Sequence, residues 1–551
     1  MGLVEAPAGP AREGGLEMTL NIATMFEAVA EAIPDRVILT CEGEHRTYAE
    51  LEERANRLAH HLAGVGVGAG DHVAVHMRNR IEYVEALLAC MKIRAVPINV
   101  NYRYTAAELL HVYTDSQSVA LILEQEYLEV AAATLADAPL IRHVLVVAEP
   151  AGGPVAEVAL PAGVTRADYE TALADASPER GFDQRSADDR FVIYTGGTTG
   201  LPKGVNWRHE DFFFAALSGA NTAGPPRRSL TEVVEAAVAN DNAPVFLLIP
   251  PLMHGAAIYS LLSAFLAGSR RVISRDFDPV RAIETIRDEQ ITGITVVGDA
   301  IARPLAEAMT ANPHVDVSSL KMIGSGGALF SDSVKDQLRG LVPGLVIKDA
   351  FGASETGNDG IVEFGEDGLK RIRSNPNMTL VDEDFQQVEV GQEGFIARGG
   401  HVPLGYFGDE ARTASTFPVI DGVRMAVLGD MGRREDDGTI VLLGRGSTCI
   451  NTGGEKVYPE EVEQALKNHV DVYDALVVGI PDERFGERVT AVVQLRPGAT
   501  ASPQQIAEFT REHVAGYKIP RVVVAVDQVR RSPSGKADYP WARETVLAHL
   551  G

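Results

Sequence analysis

Cysteine is scarce: Cys41, Cys90 and Cys449 are the only three in 551 residues. So sparse and odd a set cannot build a disulfide framework, and a reducing compartment, the cytoplasm, is expected. No cluster has zinc-ligand spacing. His72 and His76 lie four apart, but Asp71-His72-Val73-Ala74-Val75-His76 has the pattern of a strand with alternating faces. Positive charge is also short: 50 Lys and Arg stand against 76 Asp and Glu, a net charge of −26. Such a chain is poorly suited to nucleic acid or to an anionic lipid surface. The longest apolar run, Val245 to Ala267, is broken by Pro250, Pro251 and His254, so it reads as buried core and not as a membrane span. Met1 to Leu16 carry no apolar h-region and do not form a signal peptide. Met1-Gly2 opens like a myristoylation signal, but Ala6 stands where Ser or Thr is required. Residues 1–17 therefore read as a disordered extension, with Met18 as an alternative start.

What is plentiful is apolar content, 45%, enough for a sizeable core. The length suggests several folding units, or one large compound domain and a small one. Thr47-Tyr48-Ala49-Glu50 is a capping box, and Leu51, Ala55, Leu58 and Leu62 then recur at helical spacing up to Gly64. Gly64 to Gly70 is glycine-dense without dinucleotide-binding spacing, and reads as a turn. Asp71 to Met77 and Ala95 to Asn99 read as strands around a helix from Ile81 to Met91. Asp278-Pro279 opens another helix, and Ile291 to Val297 is another strand. Such β/α alternation predicts layered sheets with helices outside.

The tail differs. Pro459 starts a helix with Glu460 and Glu461 in its first turn, where acids suit the macrodipole. Ala475 to Ile480, Val489 to Leu495 and Val522 to Val526 read as strands, and Ser502-Pro503-Gln504-Gln505 as a capped helix start. This is an α+β unit of about a hundred residues. The expected boundary lies at the Gly-rich joint Gly444-Arg445-Gly446-Ser447, giving residues 1–443 and 444–551.

The strongest chemical signal is Tyr194-Thr195-Gly196-Gly197-Thr198-Thr199-Gly200-Leu201-Pro202-Lys203-Gly204, entered from the apolar Phe191-Val192-Ile193. Glycines let backbone amides approach an anion closely, while hydroxyls and a lysine add donors and charge. That suits a polyphosphate. It is not a Walker A loop, because Lys203 is preceded by Pro202 and followed by Gly204.

This run resembles the phosphate loop of the adenylate-forming superfamily, which includes acyl-CoA synthetases, amino-acid adenylation domains and luciferases. Further segments match in the family's order, from about Met18 to Leu550. Pro251-Leu252-Met253-His254-Gly255 resembles the segment near the carboxylate, and Gly326-Gly327-Ala328 the adenine-side turn. Phe351-Gly352-Ala353-Ser354-Glu355-Thr356 resembles the motif whose Glu holds magnesium, with Asp349 just ahead of it on the nucleotide side. Gly405-Tyr406 matches a structural pair, and Leu428-Gly429-Asp430 the ribose-binding Asp. Gly444-Arg445 opens the hinge, which runs into Gly453-Gly454-Glu455-Lys456. Ser534-Gly535-Lys536 matches the C-terminal catalytic lysine.

The resemblance implies a large layered α/β adenylation domain with a small α+β lid, and ATP, Mg²⁺ and coenzyme A beside a carboxylic acid. Thr195, Glu355 and Lys536 would be catalytic, with Glu355 on the metal. Thr195 to Gly200, Lys203, Gly326, Gly327, Ala328, Asp349, Phe351 to Ser354, Asp430, Arg445 and Lys536 would hold ATP and AMP. His254, Gly453, Gly454 and Lys456 would gate the acyl group and CoA, with Gly454 against pantetheine. Arg445 either contacts ribose or phosphate, or pairs with an acidic neighbour. Carboxylate attack on the α-phosphorus would give an acyl-adenylate. Rotation of the lid would then withdraw Lys536 and admit the thiol. A homodimer is left open.

Two departures stand out: Ser447 and Thr448 occupy hinge positions where acids are common, and Ser354 replaces a commoner Thr. No carrier-protein segment follows the C-terminal unit. Rival expectations are an acyl-AMP ligase loading a carrier protein, a catalytically silent nucleotide-binding homologue, and a luciferase-like monooxygenase. Gly446-Ser447 followed by Ile450 to Lys456, together with Trp207-Arg208-His209-Glu210-Asp211, further resemble bacterial acyl-CoA synthetases of fatty acids and steroid side-chain acids. Phe212-Phe213-Phe214 lead into Ala215, Ala216, Ser218, Gly219 and Ala220, which either leave room for a bulky acid or only allow close packing.

Overall fold

The computed structural model describes residues 20–149, 158–197, 200–222, 224–328, 330–365, 369–373, 375–452, 455–482, 485–532 and 535–550. The N-terminal extension, Met18, Thr198, Thr199, Gly453 and Gly454 lie outside these residues, as do the side chains of Arg445, Ser447 and Lys456.

Local signals place the first elements. Helix Tyr48–Gly64 begins at its capping box: Thr47 Oγ1 accepts from the Glu50 amide at 3.2 Å, and Glu50 Oε2 accepts from the Thr47 amide at 2.8 Å. Its buried stripe includes Leu51, Ala55, Leu58 and Leu62. Helix Pro279–Asp288 starts at a simple N-cap, with Asp278 accepting from the Arg281 amide at 2.8 Å.

Strand His72–His76 is buried along its whole length and does not alternate between core and solvent. It runs parallel to Val96–Asn99 and Ser118–Glu124, and strands flanked by parallel neighbours are covered on both faces. The His72 ring packs on Phe407, with centroids 4.7 Å apart, and the His76 ring stacks on Tyr127 at 4.5 Å.

Three large sheets and a two-stranded one organise the described residues. One has eight strands and carries the hairpin of Arg190–Gly197 and Gly200–Arg208. One has thirteen, with a parallel block of Phe246–Leu248, Gly293–Val296, Met322–Gly326 and Val346–Ala353. The third has five and belongs to the C-terminal tail. The Val245 to Ala267 run resolves into strand Phe246–Leu248 and helix Gly255–Leu266. No helix among the described residues is long and apolar enough to cross a membrane.

Thr439–Arg445 still belongs to the thirteen-stranded sheet. Gly446–Thr448 is a single 3₁₀ turn, and Ile450–Thr452 already belongs to the five-stranded sheet. The tail docks through charge. Lys467 Nζ, fully buried, lies 3.0 Å from Asp474 and 3.8 Å from Asp299 at the start of helix Gly298–Ala311. Nearby, the Arg303 guanidinium sits 5.2 Å over the Tyr473 ring.

Candidate active site

Ligands of open α/β sheets bind beyond the carboxyl ends of parallel strands. Here the carboxyl ends of two sheets converge on one cavity of about 1730 Å³. Asn99 and Thr195 come from the eight-stranded sheet. Gly326 and Ala353 come from the thirteen-stranded sheet, Ile249 and Val297 directly follow two of its strands, and Lys536 comes from the tail.

The glycine-rich run is a β-hairpin, with Thr195 paired in register to Lys203 and Gly197 to Gly200. The edge strand Gly405–Tyr406 pairs with it through Asn206 and Val205. Gly405 sits at φ 143°, and a Cβ there would lie 2.3 Å from Thr413 Cγ2. The strand can therefore pass Thr413 only as glycine. This places the Tyr406 hydroxyl 2.5 Å from Lys203 Nζ and 2.8 Å from Glu355 Oε1, while Lys203 Nζ is also 3.0 Å from Glu355. Burial, and then the neighbouring Glu355 carboxylate, push the Tyr406 phenol up, so it stays protonated and donates to Glu355. The three side chains form a closed triangle against the hairpin. Gly405-Tyr406 was legible only as a structural pair; its contact with Glu355 depends on the sheet edge.

Glu355 suits magnesium chemically. It is a hard carboxylate ligand, and Mg²⁺ takes one or two carboxylates with phosphate oxygens and water. Its present partner, Lys203, is long enough to turn to a phosphate. A second acidic group, Glu124, Glu126 and Glu149, is compact enough for a cation, but Arg275 pairs with all three.

Asn99 ties the hairpin to the His254 segment. Its amide donates to the carbonyls of Tyr194 at 2.9 Å and Met253 at 2.6 Å, and its carbonyl accepts from the Tyr194 amide at 2.8 Å. His254 lines the cavity, with Nε2 buried and lacking a hydrogen-bond partner. Burial first, then the Lys536 and Arg103 cations, lower its pKa to about 4. At neutral pH it is uncharged.

Lys536 projects from a tight turn. Gly535 N donates to Ser532 O at 2.8 Å, and Lys536 N to Ser532 Oγ at 3.1 Å. Gly535, at φ 77°, would bring a Cβ to 3.2 Å from Ala300 Cβ, so the turn presses on the large domain. Arg531 braces it, donating to Gly535 O at 3.2 Å and twice to Asp474 at 2.7 Å.

Of the remaining candidates, Gly326, Gly327, Phe351, Gly352, Ala353 and Ser354 line the cavity. Asp349 does not: Lys348 and Ala350 face the cavity, while Asp349 lies on the opposite side of the strand with Lys335 Nζ at 2.6 Å. Ala328 and Asp430 also stand off the wall, and Asp430 pairs in register with Arg445. Ala216 and Ser218 line the cavity, whereas Ala215 and Ala220 are buried and Gly219 is pressed on Pro226.

Sequence reasoning passed over Glu460 except as a helix-start acid. It lines the cavity beside the joint, where a Cβ on Gly444 would lie 2.8 Å from its Oε2. Burial, then Glu463, push its pKa up to about 7. A carboxyl raised in the folded state stabilises below its unfolded pKa and loses that contribution as pH rises through the folded value. Glu460→Gln is therefore expected to gain thermal stability relative to the parent between about pH 4.5 and pH 7, with the gain levelling above that. Paired melting curves across pH 4–9 check it; a difference independent of pH would contradict it.

Comparison with known proteins matches this architecture. The family model described as AMP-binding enzyme covers residues 26–407, and that of its C-terminal domain covers residues 461–536. A Mycobacterium marinum protein named medium/long-chain-fatty-acid-CoA/3-oxocholest-4-en-26-oate-CoA ligase is 45% identical, over 97% of this chain and 98% of its own. A Rhodococcus rhodochrous 3-oxocholest-4-en-26-oate-CoA ligase is also 45% identical, over 96% of each chain. Among solved structures, an anthranilate CoA ligase with bound anthranoyl-AMP aligns at a TM-score of 0.83 over 97% of this chain and 99% of that one, and at 21% identity it shows the shared fold. By the family model across most of its length, and by relatives matching it nearly end to end, the chain belongs to the AMP-binding enzyme family.

Proposed function

We propose that the protein is an ATP-dependent, AMP-forming acyl-CoA ligase acting on a medium- to long-chain or steroid-type carboxylic acid. The observation that carries this is convergence. Thr195 of the hairpin, Ser354 next to the Lys203-paired Glu355, His254 and a lysine from the C-terminal domain all line one cavity. The ligase names of the full-length relatives agree with it and supply the class of acid.

The chemistry follows from charge. When a carboxylate oxygen attacks the α-phosphorus, negative charge grows on that phosphorus and on the departing pyrophosphate. Fixed cations and hydrogen-bond donors lower that barrier. Lys203, the Thr195 hydroxyl and the hairpin amides bind the phosphates; Asp430, off the cavity wall in this arrangement, would accept from the ribose hydroxyls once nucleotide draws the two together. Glu355 would hold Mg²⁺, which supplies further charge neutralisation. Lys536 sets its ammonium between the attacking carboxylate and the α-phosphate. His254, being uncharged, borders the acyl group without offering it a competing cation. Lid rotation about the Gly446–Thr448 turn would then withdraw Lys536, and the thiol of CoA would displace AMP. Its three free cysteines support a reducing compartment, the cytoplasm.

The test is a series of straight-chain and polycyclic acids with the purified protein, following pyrophosphate and acyl-CoA. Each buried methylene adds about 0.8 kcal/mol, so kcat/KM is expected to climb with apolar size. Acetate or a small amino acid as the best substrate would refute the acid class. Acyl-AMP that never passes to free CoA would favour a carrier-loading ligase.

A further inference from the structure

The cavity runs from the carboxyl ends of the strands down one face of the thirteen-stranded sheet. Gly326, Gly324 and Met322 line it in turn, every second residue of one strand. Helix Gly255–Leu266 lines it with Ala256, Tyr259, Ser260 and Ser263, which share one helical face. Phe246 and Arg271 lie at its far end. Arg271 pairs in register with Phe246, Phe246 with Gly293, and Gly293 with Met322, so the four form one row. Gly326 stands four residues further along its strand, about 13 Å away.

Arg271 is fixed in the wall. The Phe246 ring covers Gly293, where a Cβ would lie 2.5 Å from its Cζ, and the guanidinium sits over that ring, 4.7 Å from the centroid. Nη1 donates to Ser269 Oγ at 3.1 Å and to the Arg270 carbonyl at 3.3 Å. No carboxylate pairs with Arg271 among the described residues, whereas Arg275, on the same cavity, pairs with three. The residue is only 8% exposed, and burial lowers its pKa to about 9, which leaves it a cation at neutral pH. Nε is enclosed with no acceptor. Nη2 has no acceptor either, but it keeps accessible surface, so it is the guanidinium donor left for a molecule in the cavity. A buried cation without a counter-charge is costly until an acceptor is supplied.

We infer that Arg271 is a specificity residue at the far end of the acyl site, donating from Nη2 to a keto oxygen that the acid carries remote from its carboxylate. A second carboxylate would take the two-pronged Nε–Nη2 edge, and Nε is out of reach. A ketone needs one donor and brings no proton of its own to place. The preferred substrate class becomes an apolar keto acid. This rests on the acyl-ligase reading above and names the acid more closely. A site built to bond a polar group penalises the analogue lacking it, because the buried donor is then left unpaired.

The experiment uses the full chain and matched acids: hexadecanoic acid, a set of its monoketo derivatives and its α,ω-dicarboxylic counterpart, and a sterol-derived carboxylic acid with and without a ring ketone. The readout is kcat/KM for pyrophosphate release. At one position remote from the carboxylate the keto acid is expected to exceed its plain partner by about 10–100-fold, and to exceed the dicarboxylic acid. In Arg271→Met, which keeps an unbranched side chain on the Phe246 ring but no donor, that ratio is expected to fall towards one. Arg271→Leu is read beside it, so that one misfolded variant does not decide the outcome. Release with the plain acids but no keto preference at any position overturns the inference and leaves the ligase reading intact. So does a preference that survives in both variants, or a dicarboxylic acid that surpasses every keto acid. No release with any acid overturns both.

Discussion

Lys536→Ala is expected to slow acyl-adenylate formation by at least about 10²–10³-fold, the usual cost of one preorganised donor at developing charge. The same variant should convert a supplied acyl-AMP and CoA to thioester at nearly the parental rate. The asymmetry comes from the lysine's position. Its turn belongs to the small domain and reaches the cavity by pressing Gly535 on Val297 and Ala300. A group carried on a separate body acts only in the arrangement that brings it in. Equal slowing of both half-reactions would show a structural role, and no slowing a solvated lysine. Measuring each half-reaction separately, with circular dichroism to establish folding, tells these outcomes apart. Arg531→Met should follow Lys536→Ala in kind but more weakly, since it removes the brace from the turn and leaves the ammonium in place.

Glu355→Gln is the second large effect. The substitution keeps the shape and the contact with Tyr406, but removes the charge that balances Lys203 and would hold Mg²⁺. Adenylation is expected to fall by about 10²-fold or more, with its dependence on Mg²⁺ concentration shifted upward. Tyr406→Phe provides the contrast. It removes the two hydrogen bonds of the hydroxyl in a buried triangle, each worth about 1–2 kcal/mol, and should leave the Mg²⁺ dependence largely unchanged. If Tyr406→Phe proved as damaging as Glu355→Gln, with an equal shift in Mg²⁺ dependence, the triangle as a whole would matter and not the carboxylate alone.

Local patterns carried much of this account. Capping boxes, periodic apolar residues and proline at helix starts are short-range, so Tyr48–Gly64, Pro279–Asp288 and Pro503–Thr510 emerge within a residue or two of their sequence signals. The ordered run of motifs from Thr195 to Lys536 identified the family, because each motif meets a local chemical need: close anion approach, a hard ligand, a mobile cation.

Three features were out of reach without the folded chain. Asp349 and Ala350 are neighbours in sequence, yet strand geometry sends them to opposite faces, and only the buried partner Lys335 decides which face holds the acid. The loss of charge on His254 follows from burial beside Lys536, 282 positions away in a chain of 551. The place of Arg271 on the cavity depends on the Phe246 ring covering Gly293, where no side chain can stand. The sequence by itself determined which residues can do the chemistry, because residue type and short spacing are written in it. Tertiary structure decided which of them face the same cavity and in what charge state, because burial and long-range contact arise only when distant segments pack.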